Sequence, residues 1–274
     1  MIFCFVSCKQ NRSVIYQKIY SEEEKLELAE SLSNAAGTDL YYQGSVGERM
    51  VIWEGLKHNL EGAWGWREIG VPYLKRGYAH EAEKYYSKAI EYDAEEWLGY
   101  KAYCWLYFYR DYEMAIKELD RYDAFTPDFV DYPQATSVDY MRGVAYLRLG
   151  KLDRALAYLV KHMDEEKENT GAEYIEPKDY LMLGVVYYEK GDYNKALDVI
   201  DEGLQHNDTT ADLHYYRALI SSKIKDVNAT KVYLDKAEYY IANGGKNIRP
   251  YIEEFYAVYQ QDVDKLRSEV GFLN

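Results

Sequence analysis

The feature that most constrains this chain is a repeat. Alignment on a small residue in one apolar-periodic run, an Ala about twelve positions later in the next run, and an Ala about seven beyond that gives five copies with a period of about 34 residues. The copies span 63–96, 96–129, 136–169, 177–210 and 211–244. Two amphipathic runs per copy read as a helix hairpin. A hairpin buries its apolar face only against a neighbour, so such a sequence stacks its units instead of wrapping one globular core.

The clearest copy carries Leu183-Gly184, Tyr187, Gly191-Asp192-Tyr193, Ala196, Ile200 and Gly203, and closes at Asn207-Asp208. The copy before it carries Gly143, Tyr146, Gly150, Ala155 and Leu159, with His162 where a small residue is expected. Ile69-Gly70, Tyr73, Gly77, Ala82, Tyr86 and Ala89 form the first copy, and Leu106, Ala115, Leu119, Tyr122 and Pro127 the second. The last keeps Ala218, Leu234 and Ala237 but places Thr230 at its first inter-helix position. Small residues at the crossing let two helix axes approach, and larger ones fill the wedge on either side.

These residues resemble the tetratricopeptide repeat. The resemblance implies an all-α fold, a right-handed α-solenoid of about five helix hairpins with helical N- and C-terminal caps. We expect capping helices over 21–62, where Ser21 and Ser45 each precede a Glu by three residues, the repeat array over 63–244, and a C-terminal capping helix in 245–274. Within that last segment, Tyr251, Phe255, Val258, Tyr259 and Leu266 have helical spacing over 249–269. Pro72 should kink or shorten the helix that holds it. Residues 130–135 and 170–176 lengthen two inter-repeat connections, and long loops often carry function.

The first residues resemble a bacterial lipoprotein lipobox: Phe5-Val6-Ser7 and then Cys8, the residue such a motif acylates. The resemblance implies a lipid anchor at Cys8, a tether through residue 20 and a place in the cell envelope; the alternative is a cytoplasmic chain with an uncleaved start. Cys104 lies in an aromatic helical run and reads as a buried thiol. A formal net charge of −14, with no basic stripe, argues against a nucleic-acid partner.

Catalytic patterns are missing: there is no G-x-S-x-G, no phosphate-cradling Gly-rich loop, no H-E-x-x-H and no paired-Cys zinc spacing. We therefore expect no enzyme activity, no cofactor and no metal. One group of ligand types, His206, Asp208, Asp212 and His214, clusters in a turn. It reads better as structural, with Asp212 completing a capping box.

Among 32 Tyr, the ones on first helices matter most. In tetratricopeptide arrays the first helix of each hairpin lines the binding groove. Carried over, that implies a partner-binding set of Trp64, Arg67, Trp97, Tyr100, Tyr107, Phe108, Tyr140, Arg148, Leu181, Tyr188 and Tyr215. Aromatic residues with a few Arg suit a protein or peptide partner with apolar anchors. Arg67 and Val71 stand where the chaperone-binding subtype has Lys and Asn, so a chaperone C-terminus is not the expected ligand. The second functional expectation is a glycan-binding lipoprotein that captures polysaccharide, because sugar faces stack on Trp and Tyr.

Overall fold

The computed structural model describes residues 21–38, 40–246 and 248–271. Cys8 and the anchor expectation lie outside the described residues. Among the described residues there are thirteen α-helices and no strand, only an isolated bridge between Arg249 and Ile252. The helices fall into two compact units that divide between Leu98 and Gly99.

In the first unit, α1 (Glu22–Ala36) pairs with α2 (Val46–His58), and α3 (Ala63–Lys75) with α4 (Ala79–Tyr92), while α2 packs on α3. The Ser21 and Ser45 hydroxyls cap α1 and α2 by accepting from Glu24 N and Glu48 N, each at 3.1 Å. Contrary to expectation, α3 is not cut short at Pro72 and runs on to Lys75. Pro72 lies in the last turn, where only the bond to the Glu68 carbonyl is lost. Its ring also fills the space above Gly44, a glycine at φ 81° where an added Cβ would come within 2.7 Å of it.

In the second unit, α5 (Ala94–Cys104), which begins before the boundary, gives way to a π-helical turn at Trp105–Tyr109 and then to α6 (Tyr112–Asp123). Three hairpins follow: α7 (Val138–Arg148) with α8 (Leu152–Asn169), α9 (Pro177–Glu189) with α10 (Tyr193–His206), and α11 (Ala211–Lys223) with α12 (Val227–Ala242). Each rests on the next through α8 on α9 and α10 on α11, and α13 (Gln260–Glu269) packs on α12. This is the stacked order that a repeat sequence requires.

Small residues set the crossings. A Cβ on Gly143 would fall 2.5 Å from Leu159 Cγ, and one on Gly184 would fall 2.5 Å from Ile200 Cδ1. Ala155, Ala196 and Ala237, the small residues of the second helices, are fully buried. Thr230, the irregular residue of the last repeat, is also fully buried, and its hydroxyl donates to the Asp226 carbonyl at 2.7 Å. That bond supplies the partner a buried hydroxyl requires. Cys104 is buried, as its aromatic surroundings imply.

One ionic cluster pins α6 to α7. Arg142, 4% exposed, lies 3.2 Å from both Asp120 and Asp123, and donates to the Leu119 carbonyl at 3.2 Å. Asp139 receives Lys161 at 2.6 Å. A guanidinium buried this deeply needs such partners, and removing one would leave a costly unpaired charge.

The C-terminal expectation needs correction. Only residues 260–269 of the 249–269 run are helical. Pro250 disfavours helical backbone at Arg249, and Tyr251 and Tyr256 hold φ of 71° and 57°, in the left-handed region. Their apolar spacing is real, but it serves an irregular segment that lies across the second unit.

The crossings give a differential prediction. Replacing a helical Gly with Ala gains about 1 kcal/mol of helix propensity, whereas overpacking costs about 1–3 kcal/mol. Leu159 meets the new methyl near its own backbone, while Ile200 meets it with a terminal methyl that can rotate away. Gly143→Ala should lower the denaturation midpoint followed by circular dichroism, and lower it more than Gly184→Ala does; equal or raised midpoints would show that the crossings are loose.

Candidate functional site

The face of the second unit formed by its first helices is built around the π-helical turn. Inserting a π turn in α5 ends that helix with Arg110 in the left-handed region at φ 56°. A β-unbranched residue held there stores about 1–2 kcal/mol, and such strain marks positions that the surroundings over-determine. At Arg110 the surroundings are the chain's own residues 249–259. Its guanidinium lies 4.1 Å from the Phe255 ring centroid and donates to the Glu253 carbonyl.

The rest of the segment is held as firmly. Phe255 is 5% exposed and seats its ring 5.3 Å from Tyr107 and 6.3 Å from Tyr112. Tyr256 lies edge-on to Tyr216 at 6.3 Å and under Arg148 at 5.4 Å. Arg249 donates to Tyr103 Oη at 2.7 Å and to Glu254 at 2.6 Å, with its guanidinium 4.3 Å from the Tyr107 ring. Asp212 accepts from the backbone N–H of Val258 at 2.8 Å. Anchors in aromatic seats and backbone groups paired to side chains are how a groove holds an extended peptide.

Electrostatics follow burial. Loss of water pushes the Tyr107 and Tyr216 phenols well above their ordinary range. Burial alone would lower the Arg249 pKa, but the Tyr107, Glu254 and Tyr103 oxygens outweigh it and hold the group firmly charged. The face thus sets the neutral phenols of Tyr107 and Tyr216 alongside a charged Arg249 that is paired with Glu254.

The residues expected to meet a partner divide by burial. Tyr107, Tyr140 and Leu181 are 1%, 2% and 4% exposed, and Trp97 and Tyr100 are also buried. Tyr140 and Leu181 are walls of the second unit's core, whereas Tyr107 is the floor of the Phe255 seat and owes part of its burial to that ring. In the first unit, Trp64 and Arg67 are half-buried. Arg67 is already engaged, paired with Glu68 and lying 4.9 Å over the Trp97 ring. In the second unit, Phe108, Tyr188 and Tyr215 are half-buried and Arg148 is exposed. Burial pushes the Tyr215 phenol up to about 12.

The expected set misses Tyr103, Arg110, Tyr112 and Tyr216, and above all the segment that occupies the face. The signal for that segment was Pro250, which breaks a helix-like apolar pattern at its start.

The turn with four ligand types is structural. His214 is 1% exposed, stacks 5.2 Å from Tyr240 and 5.8 Å from Tyr233, and pairs Nε2 with the Asp208 carbonyl at 2.6 Å. Thr210, the residue before α11, makes no side-chain cap, and Asp212 reaches instead to Val258. The capping-box expectation is corrected accordingly. No group of three or more His, Cys, Asp or Glu among the described residues could hold a metal ion.

Burial lowers the His214 pKa below 6.5, with the Asp208 carbonyl opposing and Lys236 reinforcing the shift. The unfolded chain therefore binds its proton first, so the stability contributed is full above pH 6.5 and is lost as pH falls through the folded value. The melting temperature should drop over that acidic window, and His214→Phe should flatten the drop. Separately, Phe255→Ala should cost about 3–5 kcal/mol and speed amide exchange across 249–259. Unchanged exchange would mean that Phe255 does not anchor the segment.

No family model matches the sequence, and no curated protein matches it. Solved structures do resemble the fold. PilF of Pseudomonas aeruginosa superposes with a TM-score of 0.64 at 15% identity, over 89% of this chain and 99% of that one. PilW, described as a widely conserved type IV pilus biogenesis factor, gives 0.59 at 14% identity, over 80% and 92%. A tetratricopeptide repeat protein from Parabacteroides merdae gives 0.55 at 13% identity, over 88% and 84%. Together with the five sequence repeats and the hairpins they form, these likenesses identify the fold of this chain as that of the tetratricopeptide-repeat proteins.

Proposed function

We propose that this chain is a non-catalytic scaffold of the bacterial cell envelope that holds an extended segment of a protein partner on the aromatic first-helix face of its second unit. The observation that carries the reading is residues 249–259. They lie on that face as a peptide would, with Phe255 and Tyr256 seated among Tyr107, Tyr112, Tyr216 and two arginines. A face that holds one aromatic-anchored segment has the chemistry to hold another, and the partner segment competes for the same seats.

An envelope location rests on two further supports, the Phe5-Val6-Ser7-Cys8 sequence and the likeness to PilW with its role in pilus biogenesis. The proposed attachment is a lipid on Cys8; among the described residues no helix is long and apolar enough to cross a membrane.

Affinity capture from envelope extract tests the reading with three baits: the native chain, a Phe255→Ala/Tyr256→Ala double variant and Arg110→Ala. Emptying the seats should raise recovery of the partner, and removing Arg110 should lower it, with an aromatic hot spot worth about 2 kcal/mol or more. Equal recovery with all three would sink the assignment of this face.

A further inference from the structure

The two long inter-repeat connections wall a second feature, a cavity of about 150 Å³ at the N-terminal ends of α7 and α9. His162 closes its inner end. The residue is 4% exposed, and neither ring nitrogen has a hydrogen-bond partner. Glu166 Oε1 lies 4.0 Å from Nδ1, and Asp179 Oδ1 lies 3.6 Å from Nε2. The imidazole stands edge-on to Tyr140 at 5.4 Å.

Neither ring nitrogen is within hydrogen-bond distance of the carboxylate it faces. A neutral imidazole has one N–H and one lone pair, while both carboxylates only accept. With the proton on Nδ1, facing Glu166, the Nε2 lone pair is set beside an Asp179 oxygen. Two buried acceptors side by side are costly unless a donor lies between them. Such a group must donate at least twice, and positive charge would strengthen both bonds.

Charge points to the same kind of ligand. Glu176 pairs with Lys178, whose ammonium lies 5.7 Å from the Tyr140 ring centroid, so this aromatic floor already receives one ammonium. Glu166 accepts from Tyr132 Oη at 2.9 Å. Among the described residues neither Glu166 nor Asp179 has a Lys or Arg within ion-pair distance, leaving the cavity with a surplus of negative charge. Tyr132 and Tyr174, 42% and 72% exposed, stand at its mouth as rings on which an alkylammonium can rest. A divalent ion would find two ligands, His162 and Asp179, and no described group of three.

We propose that this cavity binds a primary ammonium group, from a lysine side chain or a small free amine. Its protons go to His162 Nε2 and Asp179, Glu166 holds the imidazole in the accepting tautomer, and the tyrosines take the alkyl stem. The site does not depend on the face filled by residues 249–259.

Calorimetric titration of the full chain decides the matter with four probes: Nα-acetyl-lysine methylamide, its Nε-acetylated analogue, n-pentylamine and zinc chloride. The free-amine lysine probe should bind and the acetylated one should not. Pentylamine binding equally well would assign the site to small amines, whereas a clear preference for the lysine probe would assign it to a protein side chain. Asp179→Asn should weaken the preferred probe by about tenfold or more, with Glu166→Gln as a second variant. If either variant loses its helical circular dichroism, the contrast between the lysine probe and its acetylated form in the native chain still decides. Equal binding of those two forms, binding of neither amine, or binding of zinc alone would overturn the proposal.

Discussion

The close approach of paired helices at small residues is the contact on which the rest depends. Gly143 admits Leu159 and Gly184 admits Ile200, in each case with a side-chain carbon 2.5 Å from where a Cβ would stand. With the axes this near, each hairpin presents a fixed apolar surface to the next, and the stack follows from repetition of one local geometry. Interdigitation at that density explains why Tyr107, Tyr140 and Tyr180 are almost wholly enclosed despite their hydroxyls.

A stack of this kind leaves one face of first helices to be satisfied by something else. Here the chain satisfies it in part with its own residues 249–259. The strained Arg110, the Phe255 seat, the Arg249 fork and the Asp212 bond to Val258 form one connected set. None of them acts alone. Phe255 is enclosed because Tyr107 and Tyr112 flank it, and Arg110 is held in a left-handed conformation by a contact with the segment it helps to hold. The proposed partner segment would meet the same balance of aromatic burial and guanidinium contacts.

The two insertions show a different use of the scaffold. Between ordinary repeats a short turn suffices. Here longer connections fold over the helix ends and enclose His162 at a repeat position expected to be small. A polar ring at that depth is tolerated only where partners surround it, and Glu166 and Asp179 supply the charge if not the hydrogen bonds.

By itself the sequence determined the all-α class, the hairpin repeats, the Ser21 and Ser45 caps and the burial of Cys104. Those follow from periodicity and from short-range side-chain chemistry, which act within a few residues of one another. Only the tertiary structure decided which aromatics are walls and which are surface, since Tyr140 and Tyr188 look alike in sequence and differ in what packs over them. It also decided that 249–259 is an irregular segment and that Asp212 bonds Val258 and not its own helix start. Apolar spacing at 255 and 258 matches their burial, yet Tyr251 in the same pattern is exposed, and the rings and guanidinium that bury Phe255 lie more than a hundred positions away at Tyr107 and Arg110, where no local pattern carries that information.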